Sequence, residues 1–185
     1  MKEHLQKAHQ LWEKHLQPTD AAIDATCGNG YDAEVLSNLL PQGQLFCFDI
    51  QSEALKKSKT KLGHNSPVQW IHACHSLIDT KIPLQLLNSY PLRLIVYNLG
   101  YLPGGDKNMT TQTETTLLSL KKALILTSPY KGALSIMCYP GHPEGVEETR
   151  AVRKWALNSR ALPNLVVEQY TWEHTSAQLL WIYRK

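Results

Sequence analysis

The sequence predicts an α/β fold, in which helices cover both faces of a doubly wound, mostly parallel sheet of seven strands. Five short apolar segments alternate with helical segments, and such alternation is typical of a parallel sheet flanked by helices. Two more strands follow with no helix between them, at 165–170 and 178–183, which predicts a hairpin with an antiparallel last strand. Because residues 179–182 are all apolar, we expect that strand inside the sheet rather than at its edge.

The helices are predicted by apolar residues that recur every three or four positions. The first carries Ala8 and Trp12 at this spacing and should end before Pro18. We expect residues 1–17 to pack on the core of a single domain spanning 1–185. Later helices are predicted at 32–40, 53–62, 84–87, 113–126 and 144–159.

The five strands that precede the hairpin are predicted from short apolar runs between turn residues. Residues 92–97 form a nearly continuous apolar run, which is typical of a strand buried on both faces. The other four strands are predicted at 21–25, 44–48, 68–72 and 133–138.

Composition excludes several classes of protein. With 43% hydrophobic and 19% charged residues, the 185-residue chain is neither disordered nor collagen-like. No apolar run approaches the roughly 18 residues of a membrane helix, and the polar start of the chain lacks a signal core, so we expect no membrane association and a cytoplasmic location. Four widely spaced cysteines indicate neither a zinc ribbon nor a disulfide scaffold, and we expect no metal. The net charge of +3 permits a nucleic-acid partner without requiring one.

A glycine-rich turn after the first strand is the first candidate binding site. Ligands of open α/β sheets bind beyond the carboxyl ends of the strands, and Gly28 and Gly30 would let the backbone approach a ligand closely. Ala33 stands where a dinucleotide fingerprint has its third glycine, a replacement that such sites also tolerate. Asp24, however, would repel a pyrophosphate and attract an aminium or sulfonium group.

Asp49 ends the second strand, about twenty residues beyond these glycines. A carboxylate at this position can accept hydrogen bonds from both ribose hydroxyls of a nucleoside ligand. The alternative is a solvated N-cap of the following helix. Because Asp49 occurs together with the glycine turn, the ribose role is favoured over the N-cap role.

The segments after the fourth and fifth strands supply candidate catalytic groups. Asn98 follows the fourth strand directly, and its amide oxygen could hold the hydrogens of an amine so that the lone pair points at an electrophile. Tyr101 could stack on a base. After the fifth strand, Tyr139 adds a second ring, and His142 is either a general base, a substrate contact or an incidental member of a Pro-Gly turn.

Three segments carry a resemblance to a known family: DATCGNGYD from Asp24, NLGYLPGGDK from Asn98 and YPGHPEG from Tyr139. The chain resembles class I S-adenosylmethionine-dependent methyltransferases, which have a Rossmann-like fold. More narrowly, it resembles a bacterial family labelled "putative rRNA methylase" that is associated with modification of the tRNA wobble uridine. The resemblance implies S-adenosyl-L-methionine as cofactor and methylation of the exocyclic amine of 5-aminomethyl-2-thiouridine, giving the 5-methylaminomethyl form.

The resemblance also implies roles for individual residues. The cofactor would be bound by Asp24, Cys27, Gly28, Asn29, Gly30, Asp32, Asp49, Gln51, His75, Ser76 and Asn98. The catalytic residues would be Asn98, Tyr101 and Asp106, and the substrate would contact Lys107, Tyr139 and His142. His75 and Ser76 would flank the adenine, where many methyltransferases place an acidic residue instead.

Several alternatives stay open at this point. The proton of the amine could pass to Asp106, His142 or water. The methylated amine could belong to rRNA or a small molecule, and a binding module that retains the cofactor without chemistry is disfavoured by the intact Asn98 segment. A nicotinamide oxidoreductase is disfavoured by the closing hairpin. If the partner is the anticodon stem-loop of tRNA, it would be held by the catalytic edge itself or across a homodimer.

Overall fold

The computed structural model describes residues 2–63, 68–100 and 110–185. Within these ranges, seven strands form one sheet: β1 (Ala21–Asp24), β2 (Gln44–Asp49), β3 (Val68–His72), β4 (Leu92–Leu99), β5 (Ala133–Cys138), β6 (Leu165–Trp172) and β7 (Thr175–Arg184). The same ranges contain seven α-helices: α1 (Glu3–His15), α2 (Tyr31–Leu39), α3 (Ser52–Leu62), α4 (Ile78–Lys81), α5 (Leu84–Ser89), α6 (Thr113–Thr127) and α7 (Pro143–Ser159). The predicted site residues Tyr101, Asp106 and Lys107 lie outside the described residues.

The strand order β3-β2-β1-β4-β5-β7-β6 confirms the predicted fold. The first five strands pair in parallel, and β7 lies antiparallel between β5 and β6. The chain winds outward from β1 to β3 on one side and from β4 to β6 on the other. The order therefore reverses between β1 and β4, and a crevice opens beyond the carboxyl ends of these two strands.

Two apolar layers cover the sheet, one on each face. Because successive side chains of a strand point to opposite faces of the sheet, Ala22 of β1 packs in one layer and Ile23 in the other. Trp12 of α1 is only 2% exposed and packs in the layer that contains Ala22. Burial of a side chain of this size stabilises the fold by roughly 2–3 kcal/mol. Helix α1 is therefore anchored on the sheet by its apolar face.

The structure corrects the expected positions of two elements. Strand β4 extends two residues beyond the predicted 92–97, because its parallel pairing with β5 continues through Asn98 and Leu99. Asn98 thus lies inside the strand instead of following it. Helix α4 was not predicted, since four residues are too few to show helical periodicity.

The described parts of the chain contain no helix that is both long and apolar enough to cross a membrane. All four cysteines are free thiols.

Candidate active site

A cleft of about 830 Å³ opens at the carboxyl ends of β1, β2, β4 and β5. This volume suits a ligand of nucleoside size. Ten of the predicted site residues line it: Cys27, Gly28, Asn29, Asp32, Asp49, Gln51, His75, Asn98, Tyr139 and His142. The topology therefore brings the segments that carried the family resemblance to one place.

Three other predicted residues, Asp24, Gly30 and Ser76, are not part of the cleft lining. A Cβ atom at Gly30 would lie 2.7 Å from the side-chain oxygen of Ser58, and φ is +75° there, so packing and backbone conformation both require glycine. The Ser76 hydroxyl donates to the Cys74 sulfur at 3.2 Å instead of facing the cleft.

Asp24 is completely buried beneath the glycine turn. One carboxyl oxygen accepts the N–H of Thr26 at 3.2 Å, and the other has no hydrogen-bond partner among the described residues. Burial, followed by the nearby carboxylates of Asp32 and Asp49, raises the pKa of Asp24 well above its ordinary value. Burial therefore disfavours the charged form of Asp24, and its role as a charged group that attracts a sulfonium stays a prediction.

Asp24 also belongs to a buried cluster with Cys27 and Cys47, whose potential ligand atoms all lie within 4.8 Å of one another. Burial is the largest cause that raises the pKa of the Cys47 thiol, and a hydrogen bond with Cys27 adds to it. The three side chains form a compact polar cluster beneath the turn after β1.

The turns after β1 and β2 are joined through Asp49. Its Oδ2 accepts the N–H of Gly28 at 2.7 Å, and its Oδ1 accepts the N–H of Gln51 at 2.8 Å. The Ser58 hydroxyl donates to the Gly28 carbonyl at 2.8 Å. Because a carboxylate oxygen can accept more than one hydrogen bond, Asp49 keeps acceptor capacity for a ligand while its position is set by two backbone groups.

Asn98 is held on the opposite side of the cleft. Its backbone N–H donates to the Thr26 hydroxyl at 2.7 Å, and its side-chain Nδ2 donates to Oδ2 of Asp32 at 2.6 Å. The other oxygen of Asp32 lies 2.7 Å from Nε2 of His9 in α1. Sequence reasoning missed His9, because nothing in the sequence indicates where the first helix lies relative to the cleft.

His75 is buried against β4. Burial lowers its pKa to about 4, so the imidazole is neutral near neutral pH. Its ring meets Tyr97 edge-on at 5.9 Å, and its Nδ1 has no protein hydrogen-bond partner within the part of the chain that the structure describes. The hydroxyl of Ser119 donates to the His75 carbonyl at 2.8 Å and is also paired with the Tyr97 hydroxyl. The imidazole therefore adds a neutral, largely buried ring to the lining of the cleft.

The segment after β5 carries Tyr139 and His142. The N–H of Gly145 donates to Nδ1 of His142 at 3.2 Å, which makes His142 the N-cap of α7. Its ring position is therefore set by the helix that it caps. Burial raises the pKa of the Tyr139 phenol, so its hydroxyl stays protonated at physiological pH.

A buried network lies where the chain leaves β4. Gly100 and Thr111 exchange two hydrogen bonds: the Thr111 N–H donates to the Gly100 carbonyl at 3.0 Å, and the Gly100 N–H donates to the Thr111 hydroxyl at 2.8 Å. The carboxylate of Glu148 accepts the hydroxyls of Thr111 at 2.6 Å and Thr116 at 2.7 Å. Glu148 is only 3% exposed, so this acidic residue of α7 is structural. Its spacing in the sequence is that of an ordinary solvated helix charge, and sequence reasoning missed it.

The family model described as "Putative rRNA methylase" matches residues 45–183. The chain belongs to this family. Two solved structures support the assignment over the whole chain, each covering 100% of this chain and 99% of the other. One is a "putative rRNA-methylase" from Clostridium thermocellum, with 29% identity and a TM-score of 0.88. The other is a "putative methyltransferase" from Streptococcus mutans in complex with SAH, with 31% identity and a TM-score of 0.83.

A curated relative gives a more specific similarity. The chloroplastic tRNA (mnm(5)s(2)U34)-methyltransferase of Arabidopsis thaliana is 34% identical over an alignment of 157 residues, and the match covers 78% of this chain and 56% of the plant protein. The chain thus spans little more than half the length of that relative. Together with the family model and the sheet order, these similarities confirm the resemblance to class I methyltransferases.

Proposed function

We propose that this chain is an S-adenosylmethionine-dependent N-methyltransferase that converts 5-aminomethyl-2-thiouridine to 5-methylaminomethyl-2-thiouridine at the wobble position of tRNA. One observation carries the proposal: the Asp49 carboxylate and the Asn98 amide line the same cleft. The name of the Arabidopsis relative supports the choice of substrate.

The cofactor fits the side of the cleft formed by the turns after β1 and β2. Asp49 would accept the ribose hydroxyls, and the backbone of Gly28 and Asn29 would lie along the amino-acid end. The partly exposed Ala73 and the neutral His75 line the cleft and would lie beside the adenine. When bound, S-adenosylmethionine supplies an electrophilic methyl group on a sulfonium.

The side of the cleft near β4 suits an amine. The Asn98 amide nitrogen faces Asp32, which leaves the amide oxygen on the other branch as an acceptor for an amine N–H. Such a bond would orient the nitrogen lone pair, and orientation of this kind can contribute several kcal/mol to a transfer step. The amine must lose its proton before it attacks; His142 lines the cleft, while Asp106 lies outside the described residues.

We place the anticodon stem-loop of a tRNA at the open mouth of the cleft and the reaction in the cytoplasm. Lys2 lines the cleft, and Arg150 and Arg153 are exposed on α7, whose first residues follow the β5 segment. These cations could contact phosphates. A second copy of the chain in a homodimer is an alternative source of such contacts.

The direct test is nucleoside mass spectrometry of tRNA from cells that lack this protein. We expect 5-aminomethyl-2-thiouridine to accumulate and the methylated form to disappear, with recovery when the wild-type gene is returned. A gene that encodes Asn98→Ala at equal protein level should not restore the modification. Unchanged wobble nucleosides would overturn the tRNA assignment, and a missing methyl group in rRNA would redirect it to that substrate.

A further inference from the structure

A chain of hydrogen bonds from the first helix ends at the proposed catalytic amide. His9 of α1 contacts Asp32 at 2.7 Å, and Asp32 of α2 accepts the Asn98 amide at 2.6 Å. The side chains of His9 and Asp32 are only 14% and 10% exposed. Three elements that are distant in sequence thus meet beside the cleft through side chains alone.

An asparagine amide has two faces with opposite chemistry. If the amide of Asn98 rotated by half a turn, it would present N–H donors to an amine that needs an acceptor. Asp32 prevents this rotation when it is ionised, because a carboxylate only accepts and must face the amide nitrogen. The charge also makes the hydrogen bond stronger than a neutral one.

His9 holds the other oxygen of the same carboxylate. When Asp32 is ionised, its carboxylate can only accept, so Nε2 of His9 is the donor in this contact. The imidazole is itself held against Trp12, with ring centroids 4.7 Å apart, and Trp12 is fixed in the core. Through His9 and Asp32, the first helix therefore helps to fix the orientation of the Asn98 amide.

We propose that Asp32 and His9 are positioning residues that keep the Asn98 amide oxygen turned toward the substrate amine. This inference rests on the proposed function, because the acceptor is useful only if the substrate carries an N–H group. It also gives Asp32 a role different from the cofactor contact that the family resemblance implied. Anchoring of α1 does not require the polar contact, since Ala8, Trp12 and Leu16 already pack in the core.

The first test compares two substitutions of His9. His9→Leu removes the N–H that donates to Asp32. His9→Gln retains a side-chain N–H near the position of Nε2. We expect His9→Leu to lower kcat about tenfold without weakening the binding of SAH in a calorimetric titration. We expect His9→Gln to recover most of the lost rate.

His15 supplies a matched control on the same helix. Its Nε2 lies 3.0 Å from the Arg93 carbonyl, away from the cleft lining. We expect His15→Leu to change thermal stability about as much as His9→Leu and to leave kcat unchanged. Equal losses of kcat in His9→Leu, His9→Gln and His15→Leu would overturn the proposal in favour of a purely structural role for α1.

Asp32→Asn tests the carboxylate itself. The single amide oxygen of Asn cannot accept from both His9 and the Asn98 amide, as the two carboxylate oxygens do. We therefore expect kcat to fall at least as far as in His9→Leu, while SAH affinity stays within about twofold. If SAH affinity falls as much as kcat, Asp32 is a cofactor ligand and the proposed role is wrong.

An NMR readout separates this inference from the proposed function. The side-chain amide signals of Asn98 can be assigned by their loss in Asn98→Ala. In the wild-type chain with SAH, we expect slow hydrogen exchange of this amide, and faster exchange in His9→Leu but not in His15→Leu. If wild-type protein fails to methylate the uridine amine but shows this pattern, the proposed substrate is wrong and the positioning contact stands. Identical exchange in all three proteins would overturn the positioning role.

Discussion

The two walls of the cleft are held in different ways. One wall, which we propose binds the cofactor and call the cofactor wall, comprises the turns after β1 and β2, with Gly28, Asp49 and Gln51. Its hydrogen bonds run mainly from backbone N–H groups to one carboxylate. The other, which we propose faces the substrate and call the substrate wall, is centred on Asn98, whose amide is held by a side chain 66 residues away in the sequence. Any residue supplies a backbone N–H except proline, whereas a side-chain partner disappears with one substitution. A single substitution should therefore disturb the geometry of the substrate wall more than that of the cofactor wall.

The largest expected effect is that of Asn98→Ala. Loss of the amide acceptor should lower turnover about a hundredfold, equivalent to about 2.7 kcal/mol of transition-state stabilisation. Affinity for SAH should stay nearly unchanged, because the cofactor wall does not depend on this amide. Steady-state kinetics and calorimetry measure the two effects separately. A comparable loss of SAH affinity would show that the walls are not independent.

Glu148→Ala should have the next largest effect, on stability. Removal of the carboxylate leaves the hydroxyls of Thr111 and Thr116 without their buried acceptor, which should cost about 2 kcal/mol of unfolding free energy. Urea denaturation measures this change. Glu148→Gln keeps the size and one acceptor, so it serves as the control and should lose less than half as much. If the two variants were equally destabilised, the loss would not come from the missing acceptor for Thr111 and Thr116.

Asp49→Ala should act on the opposite wall. We expect SAH to bind about tenfold more weakly, a loss of about 1.4 kcal/mol, because the ribose acceptor disappears. Asp49→Asn retains one acceptor oxygen and should lose less. Turnover with saturating cofactor should fall far less than in Asn98→Ala. Unchanged SAH affinity in a calorimetric titration would remove Asp49 from the binding site.

The smallest expected effect concerns His75 and pH. Its pKa falls from 6.5 to about 4 on burial, so the unfolded chain takes up the proton more readily than the folded protein. The contribution of neutral His75 is complete above the unfolded pKa and is lost as pH falls toward the folded value. As the pH falls from about 7.5 to about 5.5, protonation of His75 in the unfolded chain should lower the free energy of unfolding by about 1 kcal/mol.

The variant His75→Asn removes this titration. Its unfolding free energy, measured by urea denaturation at both pH values, should decline less than that of the wild type. Because other groups titrate in both proteins, the difference between the two slopes isolates His75. Parallel slopes would contradict the effect of burial on His75.

Much of the fold could be predicted because its signals are local. Alternating apolar segments specified the order of strands and helices, and the closing hairpin indicated a β7 that lies inside the sheet, as observed. The end of β4 was predicted too early, since pairing with β5 extends a strand beyond its apolar run. The motif residues were found because turns at strand ends have characteristic sequences. Their assigned roles stay predictions.

The sequence by itself determined the layers, the alternation of strands and helices, and the segments that meet at the cleft, because periodicity and turn residues act over short stretches of chain. Only the tertiary structure decided the burial of Asp24 that raises its pKa, the buried role of Glu148 and the contact from His9 through Asp32 to Asn98. These properties depend on burial and on side-chain partners brought together from distant parts of the chain. Neither is encoded in the spacing of residues along a sequence.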